Sequence, residues 1–173
     1  LLAVMAGMYA VWHGPEGLKR IATRVNLLAR LVAGAARDAG FALKHTAFFD
    51  TVALDAGDKA DALMAHAVKR GFNFARIDAT TVGIALDETV TREDLDALIA
   101  VITGTAAKTA TAGATAGGIP AGLERASAFC TATVFNAHHS EHAMLRYLNA
   151  LEDKDVALNR SMIPLGSCTM KLN

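Results

Sequence analysis

The chain has 173 residues, of which 53% are hydrophobic and 20% are charged, so it can build a folded core and is not a disordered chain. Seventeen Lys and Arg residues balance seventeen Asp and Glu residues, which excludes an overall field that attracts nucleic acid or an anionic membrane. Cys130 and Cys168 lie far apart, without CxxC or Cys/His spacing. This argues against zinc and against a disulfide-rich secreted scaffold, so we expect a reducing compartment.

Residues 1–12 are apolar on every side and predict a helix buried inside a larger body. The run is shorter than the ~20 residues of a membrane span and lacks the basic start of a signal peptide. His13-Gly14-Pro15 interrupts it, and a second helix is expected to run to about Ala39, with Gly40 as its cap. His13 could be a ligand or a base, but beside this break we expect it to cap a helix end or to line a pocket.

The middle of the chain predicts a compact β-α-β-β-α unit. Strands are expected at residues 46–54, 72–78 and 81–86, and a helix at residues 59–70. Thr91 is followed three residues later by Asp94, which predicts a capping box at the start of a last helix. The buried stripe of that helix is predicted to be Leu95, Leu98, Ile99 and Ile102.

Residues 103–118 are rich in Ala, Thr and Gly without an apolar period, which indicates a linker or exposed loop. Residues 129–136 are expected to be extended, and Ser140 to cap a further helix. The apolar stripe of this helix is predicted to be Met144, Leu145, Leu148 and Leu151. His138 and His142 have the spacing of a metal-binding pair, but no third ligand is indicated and we expect no metal.

The last thirteen residues, S-M-I-P-L-G-S-C-T-M-K-L-N, carry the sharpest signal. Gly166 permits a turn, after which the short side chains of Ser167 and Thr169 and the cation of Lys171 suggest an anion cradle. The spacing is not that of a nucleotide P-loop. From the residue types alone, a buried turn whose hydroxyls satisfy the local backbone is favoured over the cradle, and it is the string itself that shifts the balance towards the cradle.

This string resembles a signature of the P-proteins of the glycine cleavage system. Two further stretches resemble the same family: A-x-M-Y-A-x-x-H-G-P-x-G-L-x-x-I-A near the start, and V-F-N-x-x-H-S-E-x-x-M-L-R-Y-L-x-x-L-E-x-K-D over residues 134–155. Residues 78–94 resemble a segment of the family's small domain. The chain departs from the pattern in the Ala/Thr/Gly stretch and at Ala132-Thr133, where the family has His-Pro.

The resemblance implies an α/β fold, namely the small domain of a pyridoxal-phosphate type I (aspartate aminotransferase-like) enzyme with flanking helices. Residues 1–40 would be helices from the end of the first-half large domain, residues 41–128 the small domain with its linker at 103–118, and residues 129–173 the segment that leads into the second half. Because the chain starts inside an apolar run and stops directly after the signature, we expect a fragment of a two-half protein.

The resemblance also implies an oxidoreductase that uses pyridoxal phosphate to decarboxylate glycine and passes the aminomethyl group to the lipoyl arm of a carrier protein. Gly166, Ser167, Thr169 and Lys171 would bind cofactor or substrate, and Cys168 is a candidate redox thiol or a small buried turn residue. The family's Schiff-base lysine follows a histidine, and the chain contains no His-Lys pair. We therefore expect no catalytic residue here and no activity from the fragment alone.

The intact protein is expected to be a homodimer or heterotetramer without nucleic-acid or membrane partners, cytoplasmic in a bacterium or mitochondrial in a eukaryote. Two alternatives stay open. One is a non-catalytic assembly element that bridges the two halves of the enzyme, and the other is a stand-alone anion-binding module.

Overall fold

A computed structural model describes residues 1–105, 118–155, 157 and 159–160. The chain forms two compact units. One combines Leu1–Leu18 with Ala128–Asn173, and the other is Lys19–Ser127. Of the helices in the described part of the chain, none combines the length and hydropathy that crossing a bilayer requires.

The first helix, α1, spans Leu2–Asp38 and is broken at Gly14, whose φ of 60° and ψ of 179° are not helical. This confirms the two helices that the His-Gly-Pro break predicts. Gly40 follows the helix with a φ of 87°, and its N–H donates to the carbonyl of Arg37 at 2.9 Å. Gly40 therefore ends the helix as expected, because glycine enters the left-handed region without the strain of a β-carbon.

The second unit contains a four-stranded antiparallel sheet with strand order β1-β2-β4-β3. Its strands are β1 (Ala42–Leu43), β2 (Thr51–Asp55), β3 (Ala75–Arg76) and β4 (Thr81–Ala85). Helix α2 (Ala60–Lys69) follows a 3-10 turn at Gly57–Lys59 and precedes β3, and α3 (Arg92–Thr103) follows β4. The α/β class is confirmed, and the predicted β-α-β-β-α order is present after the additional short strand β1.

The predicted strand at residues 46–54 is wrong at its start, since β2 begins only at Thr51. The Asn26 side chain, on α1, donates to the carbonyls of Phe48 and Phe49 at 3.3 and 2.8 Å. Because these two carbonyls accept hydrogen bonds from a side chain of α1, residues 46–50 form a loop before the paired strand β2. The strand predicted at residues 72–78 is likewise shorter, because only Ala75–Arg76 pair with β4.

The core of this unit lies between one face of the sheet and the helices. Val52 pairs with Ile84 and Leu54 with Val82, so these four apolar side chains share one face of β2 and β4. The buried residues packed there from α1 and α3 include Leu28, Ala29, Val32, Ala33, Leu95, Leu98, Ile99 and Ile102. The predicted buried stripe of α3 is thus confirmed.

The start of α3 is closed by the capping box that the sequence predicts. The Thr91 hydroxyl oxygen accepts from the Asp94 N–H at 3.1 Å, and the Asp94 carboxylate accepts from the Thr91 N–H at 2.9 Å. The two residues satisfy donors that the first helical turn would otherwise leave without partners.

The other unit contains helix α4, Glu141–Glu152, whose N-cap Ser140 accepts from the Ala143 N–H at 3.3 Å, as expected. The expected extended conformation at residues 129–136 is wrong, because the chain makes a 3-10 turn at Thr133–Phe135. The Asn136 amide donates to the carbonyls of Cys130 and Ala132 at 2.9 and 3.0 Å and closes this turn.

The predicted apolar stripe of α4 is not buried among the residues that the structure describes. None of the described residues of α4 is buried, and Leu145 and Leu148 are exposed. Residues 2–10 of α1 are helical as predicted but also largely uncovered. Their burial inside a larger body stays a prediction.

Candidate functional site

The residues of the predicted anion cradle, Gly166, Ser167, Thr169 and Lys171, lie outside the described residues, as does the candidate redox thiol Cys168. Residues 106–117 of the predicted linker also lie outside them. What the structure describes are the other stretches that carry the family resemblance, two of which meet in space.

The first of these stretches contributes the break in α1. At Gly14 the backbone has a φ of 60°, and a β-carbon there would lie 2.6 Å from Cε1 of His139 and 2.7 Å from the carbonyl oxygen of Phe135. Glycine is therefore required twice, once for the left-handed backbone and once for the close approach of another segment. Pro15 follows directly and fits the first turn of the continuing helix.

His139, from the H-S-E part of the second stretch, forms the other side of this contact. Its Nδ1 lies 2.8 Å from the carbonyl oxygen of Trp12. A carbonyl only accepts, so the hydrogen bond requires a proton on Nδ1 and leaves Nε2 as an acceptor when the ring is neutral. The residues Trp12, Gly14, Phe135 and His139 thus join the two stretches, and we call them the Gly14–His139 contact.

His13 and His138, which the sequence offers as a possible base or metal ligand, each contact an aromatic ring. The ring of His13 lies 4.3 Å from the ring of Tyr9, centroid to centroid, at a tilt of 55°. The ring of His138 stacks on Tyr147 with centroids 4.3 Å apart and planes 15° apart. Among the residues described, no group of three or more His, Cys, Asp or Glu side chains is placed to hold a metal ion.

Sequence reasoning quoted His139 within a motif but gave it no role. The sequence around its partner Gly14 predicts only a helix break. The sequence signal for this contact is that Gly14 and His139 lie in two stretches that resemble the same family. No local sequence feature connects the two residues.

The acidic stretch at residues 78–94 uses its carboxylates in turns and caps. Oδ1 of Asp78 accepts from the N–H groups of Thr80 and Thr81 at 2.9 and 2.7 Å. These bonds, chiefly that of the Thr80 amide, lower the pKa of Asp78 from 3.8 to about 2. Lys44 lies beside it, with Nζ 3.9 Å from Oδ2.

Two more aspartates of this stretch follow the same pattern. The Thr89 hydroxyl donates to Asp87 at 2.6 Å and lowers the pKa of that carboxyl, and the Thr91 hydroxyl donates to Asp94 at 2.7 Å with the same effect. Carboxylates held ionised by local donors are poorly suited to proton transfer near neutral pH. The stretch therefore orders the start of β4 and of α3.

A small apolar cavity of about 90 Å³ lies beside β4 and α3. Its walls include Phe72, Phe74, Ile84 and Leu98, and its lining residues contain no Lys or Arg. A phosphate or carboxylate ligand would find no cation there. This cavity does not replace the cradle predicted at the end of the chain.

In the part of the chain that the structure describes, the polar groups of the family-like stretches build turns and helix caps, and in the unit of Leu1–Leu18 and Ala128–Asn173 they build the contact at the helix break. A small antiparallel sheet packed with helices defines an α/β protein. The chain belongs to the Glycine cleavage system P-protein family, whose model matches residues 1–102.

Curated relatives agree with this assignment. The chain is 51% identical over 185 aligned residues to a glycine dehydrogenase (decarboxylating) of Paraburkholderia phytofirmans. It is 55% identical over 173 residues to proteins of the same name from Stenotrophomonas maltophilia and Xanthomonas oryzae pv. oryzae. Each alignment covers 100% of this chain but only 19%, 18% and 17% of the respective relative.

Proposed function

We propose that the chain is part of a glycine decarboxylase that uses pyridoxal phosphate and transfers the aminomethyl group of glycine to the lipoyl arm of a carrier protein. The observation that carries this proposal is the identity of 51–55% along the whole chain to relatives named glycine dehydrogenase (decarboxylating). The expected fold of the intact protein is the pyridoxal-phosphate type I fold. Residues 1–40, 41–128 and 129–173 would be the large-domain helices, the small domain and the segment that leads into the second half.

Pyridoxal phosphate, when bound, supplies an electron sink for the charge that remains when carbon dioxide leaves glycine. The lysine that attaches the cofactor would come from outside this chain, because the sequence has no His-Lys pair. The chain by itself is therefore inactive under this proposal.

The contribution of the chain to the site would be anion binding at its end. Ser167 and Thr169 offer hydroxyl donors, Gly166 allows the backbone N–H groups to converge, and Lys171 adds an ammonium. Such a set suits the cofactor phosphate, the glycine carboxylate or the polar part of the lipoyl arm. The aspartate-closed turns would hold the small domain in shape, and the Gly14–His139 contact would join the large-domain helices to the segment that leads into the second half.

The experiment uses the glycine dehydrogenase of Stenotrophomonas maltophilia in which this chain replaces the matching segment, hereafter the chimera. Carbon dioxide release from glycine is measured with lipoylated carrier protein and pyridoxal phosphate. Replacing Lys171 by Met removes one charge-assisted donor, and we expect kcat/KM to fall roughly tenfold or more. Arg replacement is expected to restore part of the loss, because it restores the charge without the geometry of an ammonium.

Two readouts separate this proposal from the alternatives. If Ser167→Ala and Lys171→Met lower the melting temperature of the chimera while leaving turnover unchanged, the segment is an assembly element. If the isolated chain binds inorganic phosphate and the binding is lost in Lys171→Met while the chimera turns over normally, the chain is an anion-binding module. The catalytic proposal is supported if the chimera releases carbon dioxide at the native rate and the Lys171→Met chimera does not.

A further inference from the structure

The carboxyl end of α4 is bound by an arginine that lies beyond the helix. One guanidinium nitrogen of Arg160 pairs with the carboxylate of Asp153, the residue that directly follows α4. A second guanidinium nitrogen donates to the carbonyl of Glu152 and, at 2.7 Å, to that of Asp155. We call the contact of Arg160 with Glu152, Asp153 and Asp155 the Arg160 anchor.

The chemistry of this contact suits the end of a helix. The last carbonyls of a helix have no partner within it, and a cation there interacts favourably with the helix dipole. A guanidinium presents its donors in a fixed plane, so one side chain can bond to a carboxylate and to carbonyls at once. Asp153 is itself oriented by the Asn149 amide, which donates to its other carboxylate oxygen at 3.2 Å. The anchor therefore binds Arg160 to a defined place on α4.

The place of Arg160 in the sequence gives the anchor a further consequence. Ser161, which begins the stretch S-M-I-P-L-G-S-C-T-M-K-L-N, follows Arg160 directly, and Gly166 is six residues beyond it. Six residues reach at most about 20 Å even when they are fully extended. The anchor thus limits the distance between the end of α4 and the predicted anion cradle.

We propose that Arg160 is a positioning residue, which holds the start of this stretch against α4 so that residues 166–171 can reach their anionic ligand. The role needs no contact between Arg160 and the ligand. The inference rests on the anion binding proposed above for residues 166–171. A helix cap that only stabilises α4 is the alternative role for the same contacts.

The size of the effect follows from the length of chain that the anchor shortens. Ala157, which is 5% exposed, lies nine residues before Gly166, and Glu152 lies fourteen residues before it. The probability that a flexible segment brings its end to one place falls roughly with the 3/2 power of its length. Without the anchor, kcat/KM should therefore fall about twofold if Ala157 becomes the last fixed residue, and about fourfold if Glu152 does.

The test is a double-mutant cycle in the chimera, with carbon dioxide release from glycine as the readout. Arg160→Ala is expected to lower kcat/KM by about two- to fourfold. In the Lys171→Met chimera the same substitution should have a smaller effect, because a cradle without its cation gains less from being positioned. The matched control is Lys154→Ala, which removes an exposed cation at the same end of α4 and should leave kcat/KM unchanged.

The outcomes separate this inference from the proposed function. If Lys171→Met lowers kcat/KM and Arg160→Ala does not, the positioning role is overturned while the cradle stands. If Arg160→Ala lowers kcat/KM by the same factor in both backgrounds, or if Lys154→Ala lowers it equally, Arg160 does not act through the cradle. A lower melting temperature of Arg160→Ala with the parent value of kcat/KM would make it a helix cap alone. If Lys171→Met has no effect, the proposed function fails and the positioning role fails with it.

Discussion

His139 lies so close to the break in α1 that a β-carbon on Gly14 would come within 2.6 Å of its Cε1 atom. The same imidazole bonds through Nδ1 to the carbonyl of Trp12 at 2.8 Å. Two stretches that resemble the same family at opposite ends of the chain are thereby joined in one contact. Its consequences are open to measurement.

Replacing Gly14 by Ala should destabilise the unit that contains it by about 1–3 kcal/mol or more, because the left-handed backbone is strained with a β-carbon and the new atom meets His139 and Phe135. Urea unfolding is followed by the fluorescence of Trp12, the single tryptophan of the chain. Gly7→Ala is the matched control, since it lies in the same helix and a β-carbon there meets nothing within 4 Å. The control should be neutral or stabilising by up to ~1 kcal/mol, as alanine favours the helix. Equal stability of both variants would contradict the geometry at Gly14.

Replacing His139 by Ala should cost roughly 0.5–1 kcal/mol, the value of an exposed hydrogen bond, here that to the Trp12 carbonyl. His139→Asn keeps an N–H donor near the position of Nδ1 and should recover part of the loss. The same Trp12 fluorescence reports both variants. His142→Ala, on the exposed surface of α4, should leave the urea midpoint unchanged.

Gly14→Ala and His139→Ala should also be non-additive. In the His139→Ala protein the imidazole is gone, so the β-carbon added at Gly14 meets only the Phe135 carbonyl, at 2.7 Å. The double variant should be more stable than the sum of the two single losses predicts. Strict additivity would show that the two residues do not touch.

Removing the N-cap of α3 should weaken the second unit. Thr91→Ala deletes the hydroxyl that accepts from the Asp94 N–H at 3.1 Å, and we expect a loss of about 1 kcal/mol in the free energy of unfolding. Far-ultraviolet circular dichroism in urea measures it. Thr91→Ser retains the hydroxyl and should stay within a few tenths of a kcal/mol of the parent. A Ser variant as unstable as the Ala variant would indicate that the methyl group, and not the cap, stabilises this position.

The pH dependence of stability follows from the depressed pKa of Asp78. The folded pKa is about 2 against an ordinary value of 3.8, so the unfolded chain takes up the proton first as the pH falls. The stabilisation is thus complete above roughly pH 5 and is lost progressively as the pH falls through 3.8 towards 2. Asp87 and Asp94, whose pKa values are also lowered, act in the same direction.

Urea midpoints measured from neutral to acid pH check this. Asp78→Asn should flatten the acid limb, because the amide still accepts the Thr80 and Thr81 bonds but no longer titrates. Asp58→Asn removes one carboxylate from the 3-10 turn before α2 and serves as the control. If the urea midpoint of Asp78→Asn fell as steeply with decreasing pH as that of the parent, groups other than Asp78 would account for the acid sensitivity.

Several elements follow from short stretches of sequence because their physics is local. The capping box of Thr91 and Asp94 and the glycine end of α1 at Gly40 depend on residues within one helical turn. The buried stripe of α3 depends on a period of three to four residues. Family membership follows from strings that are long and specific, and the comparison with relatives confirms it.

The ends of the strands cannot be predicted from short stretches of sequence. Residues 46–50 have strand composition, yet Asn26, more than twenty residues earlier, bonds to the carbonyls of Phe48 and Phe49. The 3-10 turn at Thr133–Phe135 is closed in the same manner by the amide of Asn136. Side-chain bonds to the backbone compete with the strand ladder, and composition does not reveal which carbonyl an amide will reach.

The sequence by itself determined the helices, their caps, the α/β class and the family of this protein, and it supplied the prediction for Gly166, Ser167, Thr169 and Lys171. Only the tertiary structure decided that Gly14 must accommodate His139 and that the apolar start of α1 is largely exposed within the described chain. The physical reason is range. Helix caps act over one turn, whereas a close approach between distant segments depends on how the whole chain packs.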